Sequence, residues 1–263
     1  MGHIRLGRLY KSRKWNQVID LLDSDCSVAQ ISGATLNATD KQLREFSFDP
    51  ALSHVFWLLV RITWASQTGQ FPPFLNEIGI NLDDKSSVFS LMSSLSDYLH
   101  KNATKSPEST AFSAIANLSL MDTITETVAV HQNSLFGSNI EDIQNAFKAY
   151  SSQKQFGILS RRFFAHFLAR TVKYLLNKEL SNHIGSEHSL RNIQSAKEFN
   201  DALALYAYQS AKIMEDFAGG WYSKHNWESR GEISEKETSG FVAFALRKLR
   251  MELGQDYQQE ITQ

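Results

Sequence analysis

Few residues in this chain break a helix, and many signal the start of one. Four prolines in 263 residues leave long uninterrupted stretches. Two of them follow a capping residue, in Asp49-Pro50 and Ser106-Pro107. There they read as position N1 behind an N-cap, where a missing N–H costs little. Capping boxes recur at Thr39…Gln42, Ser138…Glu141, Ser195…Glu198 and Ser234…Glu237. Each places a side-chain oxygen against an orphan amide at a helix start. No segment sustains the apolar–polar alternation of a strand. The expected fold is all-α: an irregular, multi-helix bundle of about ten helices. The periodicity predicts helices near 12–23, 27–36, 40–46, 50–67, 85–102, 107–132, 139–152, 157–183, 196–218 and 234–254. Gln70-Phe71-Pro72-Pro73-Phe74 reads as a turn between helices, and 184–195 as a second connection.

A hydrophobic content of 42% suffices for a sizeable core. One domain over 1–263 is expected, with a sub-boundary near 133–139 and a frayed, Gln-rich tail at 255–263. The net charge of −1 argues against a dedicated nucleic-acid-binding domain, which is usually basic throughout. Cys26 is the one cysteine, so neither an intramolecular disulfide nor a cysteine zinc site can be built. The apolar run Val55 to Val60 stops at Arg61, far short of the ~20 residues a membrane span requires. Met1 to Leu6 has no apolar h-region behind it. A cytoplasmic location, no membrane association and no cofactor are the expectations.

Three clusters carry candidate chemistry. Over the helix predicted at 157–183, Arg162, His166, Arg170 and Lys173 fall on one stripe, while Phe163, Phe164, Phe167, Leu168, Val172, Leu175 and Leu176 cover most of the remaining circumference. So broad an apolar arc places the helix centrally. Its cationic stripe either reaches solvent or meets acidic partners in neighbouring helices, or it offers an anion site for phosphate, a nucleotide or a nucleic-acid backbone. Arg5, Arg8, Lys11, Arg13 and Lys14 add a basic N-terminal arm. In the second cluster, Glu179, His183 and His188, with Glu187 beside them, offer carboxylate and imidazole groups for a metal, though in no named ligand spacing.

The third cluster is Gly219-Gly220-Trp221-Tyr222-Ser223-Lys224-His225-Asn226-Trp227. The glycine pair reads as a helix stop with φ > 0. Trp221 is then expected to turn inward onto Ile213 and Phe217. Trp221, Tyr222, Lys224, His225 and Trp227 form either a recognition surface or a structural plug. Glu215-Asp216 would close the preceding helix, where negative charge opposes the macrodipole, and could pair with His225 if the chain folds back. No nucleophile elbow, P-loop or dinucleotide fingerprint occurs.

The stretch Phe217 to Trp227 running into Leu246-Arg247-Lys248-Leu249, with the opening Ile4-Arg5-Leu6-Gly7, resembles uncharacterised bacterial all-helical proteins. The resemblance implies a bacterial origin and brings no activity with it. The leading expectation is a non-enzymatic helical interaction or adaptor subunit of a bacterial multi-protein assembly, with a protein partner. The alternatives are a nucleic-acid or phosphate-binding protein using the basic stripe, and a helical metal-dependent hydrolase.

Overall fold

The computed structural model describes residues 13–22, 24, 26–38, 40, 43–44, 47–105, 111–128, 139–180 and 193–262. Among them lie eleven helices and no strand. They are α1 (Arg13–Leu22), α2 (Val28–Ala38), α3 (Pro50–Thr68), α4 (Phe71–Glu77), α5 (Val88–Lys105), α6 (Ala111–Thr127), α7 (Ile140–Lys148), α8 (Gln153–Leu180), α9 (Ile193–Ser210), α10 (Ile213–Glu228) and α11 (Glu235–Thr262). The all-α bundle is as the breaker and capping pattern predicts. The basic arm through Lys11, the Thr39…Gln42 box, Ser106-Pro107, most of the 133–139 boundary and the connection as far as residue 192 lie outside the described residues.

Helix α8 is the axis. It packs against α2, α6, α9 and α10, and Phe156, Phe163, Phe164, Phe167 and Leu176 are fully buried along it. Phe56 of α3 meets Phe163 and Phe164 at ring distances of 5.4 and 5.2 Å and stacks on Phe241 of α11 at 5.4 Å. Phe241, Val242, Leu246, Leu249 and Leu253 form the buried face of α11. One aromatic cluster thereby joins three helices far apart in sequence.

Local signals act where the sequence places them at two starts. Asp49 caps α3, its Oδ1 accepting from the Ala51 amide at 2.7 Å, with Pro50 behind it. Ser234 and Glu237 bond reciprocally at the start of α11, amide to carboxylate at 2.8 Å and amide to hydroxyl at 3.2 Å. Those donors from Ser234 hold the Glu237 carboxyl below its ordinary range.

Elsewhere the structure corrects the sequence-based expectation. The 70–74 segment is not a turn: Phe71 opens α4, because Pro72 and Pro73 sit in a first turn whose amides need no intrahelical partner. The cap of α7 is Asn139 with Asp142, one residue later than Ser138…Glu141. Ser195 lies inside α9, which starts at Ile193. The predicted helix 196–218 is two helices, separated at Ala211 and Lys212 by i→i−3 bonds from Met214 and Glu215. No breaker residue marks that turn. The tail does not stop near 254; α11 continues to Thr262, since nothing after Gly254 forbids it.

The largest correction concerns Gly219-Gly220, which does not stop a helix. Helix α10 runs straight through it. Gly219 is there because α10 lies against α8 at backbone contact: a Cβ on Gly219 would meet the Gln153 carbonyl oxygen at 2.4 Å. The contact is reciprocal, since a Cβ on Gly157 of α8 would meet the Glu215 carbonyl oxygen at 2.1 Å. The left-handed residues beyond α10 are Arg230 and Gly231, at φ 52° and 86°. Gly231 also lies where a Cβ would strike the Trp64 ring at 1.7 Å. This loop is pinned to α3 by Trp57 Nε1–H donating to the Ile233 carbonyl at 2.9 Å and Arg61 donating to the Gly231 carbonyl at 2.7 Å.

Adjacent glycines therefore respond in opposite directions to the same substitution. Gly219→Ala is expected to destabilise by about 1–3 kcal/mol through overpacking. Gly220, with open space at its Cβ position, should gain up to about 1 kcal/mol as Ala through helix propensity. Urea denaturation of the two variants tests this; equal effects would contradict backbone-level packing of α10 on α8.

Candidate functional site

The basic stripe of α8 faces α6. Asp122 and Glu126 sit one turn apart on α6 and receive it. Arg162 pairs with Glu126. His166 Nε2 bonds Glu126 Oε2 at 2.8 Å, with Nδ1 3.9 Å from Asp122. Arg170 Nε donates to Asp122 Oδ2 at 2.5 Å. Lys173 is exposed and has no described carboxylate within ion-pair distance. The His166 hydrogen bond, aided by the Arg162 charge and opposed by burial, holds the Glu126 carboxyl below its ordinary range. Arg162, His166 and Arg170 are each bonded to one of two carboxylates, and those carboxylates repel phosphate.

Arg161, one position from the stripe, points the other way. It is buried. Its Nε donates to the Tyr208 carbonyl at 2.9 Å, its NH1 to Glu215 Oε1 at 2.5 Å, and its guanidinium lies 3.8 Å from the Tyr208 ring centroid. Glu215 and Asp216 therefore do not close a helix. They occupy the first turn of α10, where the macrodipole favours negative charge. His225 lies ten positions on, about 15 Å along the same straight helix, and its Nδ1 bonds the Trp221 carbonyl at 2.9 Å. Glu215 and His225 are thus not brought together.

The glycine–aromatic cluster is divided between core and surface. Tyr222 is fully buried and stacks on Phe156 at 3.8 Å; burial pushes its phenol well above the ordinary value. Trp221 turns inward, but onto Phe241 of α11 at 4.6 Å rather than onto Ile213 and Phe217. Phe217 is itself 36% exposed. Lys224 is on the surface, 3.8 Å from Glu228. Trp227 stands 86% exposed. Glu179 is in the last turn of α8, and its side chain, like His183 and His188, lies outside the described residues. Among the described residues no group of three or more His, Cys, Asp or Glu is placed to hold a metal ion. Nor is any described helix long and apolar enough to cross a membrane.

The structure also shows a groove that no sequence motif singles out. It lies between α11 and the residues Asp40, Arg44, Ser47 and Phe48, and encloses about 780 Å³. Gly240 and Ala243 contribute to its lining, and the Gly240 Cβ position has no neighbour within 4 Å. Phe48, Phe244 and Met251 supply apolar walls, with Phe48 76% and Met251 53% exposed. Phe48 precedes the Asp49 cap, where an apolar residue normally staples onto position N4. Here N4 is Ser53, which offers it no apolar partner.

Arg44, Arg247, Arg250 and Asp40 line the same groove. Asp40 bridges two of the arginines, Arg250 Nε at 2.8 Å and Arg44 Nε at 3.3 Å. Arg247 lies over the Phe244 ring at 5.2 Å. Beside it Lys248 lies 5.4 Å from the Phe217 ring and 5.7 Å from that of Phe244. Neither Arg247 nor Lys248 has a described carboxylate within ion-pair distance. The available sequence signal was the spacing of Gly240, Ala243, Phe244, Arg247 and Met251, which repeats at three and four along the outer side of α11.

Comparison with protein-family models, with curated proteins and with solved structures returned no match.

The α6–α8 ion network has a defined pH signature. The Glu126 carboxyl is lowered from 4.5 in the folded state, so its stabilising contribution is present above that value and disappears as pH falls through the folded one. Glu126→Gln should cost about 0.5–1 kcal/mol near pH 7, in keeping with half-exposed ion pairs. Chemical denaturation across pH should show the gap between wild type and variant closing below pH ~4.5. A gap that is constant with pH would show that the Glu126 charge is not responsible.

Proposed function

We propose that this chain is a non-enzymatic helical interaction subunit of a multi-protein assembly, and that it docks its partner on the face formed by α11, Phe217 of α10, and Asp40, Arg44, Ser47 and Phe48. The observation that carries the reading is the exposed Phe48 and Met251 beside Arg247 and Lys248, two cations whose contacts among the described residues are with aromatic rings. Large rings next to Arg are the side chains that dominate binding energy at interfaces. Burying one exposed Phe contributes about 1.5–3 kcal/mol. The two alternatives draw less support. A phosphate on the α8 stripe would have to displace Asp122 and Glu126 from their arginines. The metal-hydrolase reading rests on Glu179, His183 and His188, whose side chains lie outside the described residues.

The test is affinity purification at native expression level of the wild type, a Phe48→Ser/Arg247→Glu double variant and a Lys224→Ala control, each first shown to melt cooperatively. Partners recovered with the wild type and the control should fall at least about tenfold with the double variant, the scale of losing a hot-spot contact. Undiminished recovery with the double variant, or a wild type that purifies alone as a monomer, would overturn the reading.

A further inference from the structure

The proposed docking face has a charge and shape that specify the chemistry of its occupant, an identification that rests on the docking proposal and sharpens it. The whole chain carries a net charge of −1. On this face, however, Arg44, Arg247 and Arg250 stand against Asp40, the one acid among the described residues that line the groove, and Lys248 lies beside Arg247. The cations fall into two pairs. Arg44 and Arg250 are held on Asp40, and Arg250 is largely buried, with its side chain 15% exposed. Arg250 is structural; Arg44, 68% exposed, is held by Asp40 four residues before it. Arg247 and Lys248 are oriented by the Phe244 and Phe217 rings. A ring face attracts a cation but accepts none of its N–H donors in the plane of the guanidinium, so those donors remain available.

The apolar part of the groove adjoins these donors. Its 780 Å³ is within the range of ligand-binding clefts. The open position above Gly240, next to Ala243, leaves room for a bulky side chain, with Phe48 and Phe244 lining the same space. From Gly240 to Met251 the helix rises about 16 Å, roughly three turns, which suits a short docked segment. A polynucleotide fits less well. Among the described residues of the groove only Arg247 and Lys248 have no described carboxylate within ion-pair distance, whereas backbone binding draws on several cations at once, and Asp40 lies in the groove itself.

We infer that the groove binds an acidic amphipathic segment of a partner protein, with a large apolar side chain seated over Gly240 and Ala243 and carboxylates on Arg247 and Lys248. Electrostatic complementarity then sets specificity, and the apolar anchor supplies most of the affinity.

The experiment is selection from a phage-displayed random peptide library on the full chain, with depletion against the Phe48→Ser/Arg247→Glu variant. A fluorescein-labelled oligouridylate is titrated alongside. Enriched peptides should combine Asp or Glu with Phe, Leu or Trp. Phe48→Ser or Arg247→Glu alone should weaken a selected peptide at least about tenfold. Replacing that peptide's acids by Lys should abolish binding to the wild type and restore it to Arg247→Glu. Enrichment of basic or uncharged peptides, enrichment of none, or oligouridylate binding that Arg247→Glu removes would each overturn the inference. Partner loss in the co-purification test judges the docking face separately: if that loss occurs while no acidic peptide is selected, the face stands and the acidic occupant falls.

Discussion

Everything in this fold that positions a surface depends on two helices meeting at their backbones. Gly157 of α8 and Gly219 of α10 remove the side chains that would keep the helices apart. The pairs Gly157–Glu215 and Gly219–Gln153 run in opposite directions, so α10 lies antiparallel on α8. The close approach has consequences along its length. Arg161, one turn beyond Gly157, reaches Glu215 and the end of α9 at Tyr208. Tyr222, just past Gly219, lies flat on Phe156. Its neighbour Trp221 is carried to Phe241, and α11 is thereby set against α10 and α3. The outward side of α11, with Phe244, Arg247 and Met251, is a product of that arrangement.

Two groups of cations, one on α8 and one on α11, reach opposite ends. On α8, Arg162, His166 and Arg170 find Asp122 and Glu126 one turn apart on α6, and the result is an inter-helix clamp. Half-exposed pairs of this kind contribute about 1 kcal/mol or less each, so the clamp orients α6 more than it holds the fold together. On α11, Arg247 and Lys248 lie over rings instead. What separates a structural cation from a recognition cation here is the neighbour, which composition does not contain.

The same distinction explains what could be read from the chain. Asp49-Pro50 and Ser234…Glu237 were legible because a cap is a local transaction between residues two or three apart. The buried face of α11 was legible from its periodicity, as was the apolar girth of α8. Gly219-Gly220 misled because glycine serves two needs, a left-handed backbone and a close helix contact, and only the partner helix tells which. Pro72-Pro73 misled because proline is tolerated in a first turn. The turn at Ala211 and Lys212 carries no sequence mark. The groove was out of reach because it joins Phe48 and Asp40 to residues about two hundred positions later. Phe48 offered one hint, an apolar residue before a helix cap with no apolar partner at N4.

Recognition thus belongs to α11, the adjoining Phe217 of α10, and Asp40, Arg44 and Phe48 in the function proposed for this chain, and not to the α8 stripe. Hydrogen exchange of the protein alone and in complex with its co-purifying partner tests that assignment most directly. New protection should fall on the amides of Asp40, Arg44, Ser47 and Phe48, of 240–251 and of α10 around Phe217, with 162–173 unchanged. New protection centred on 162–173, with the α11 face exchanging as in the free protein, would contradict it.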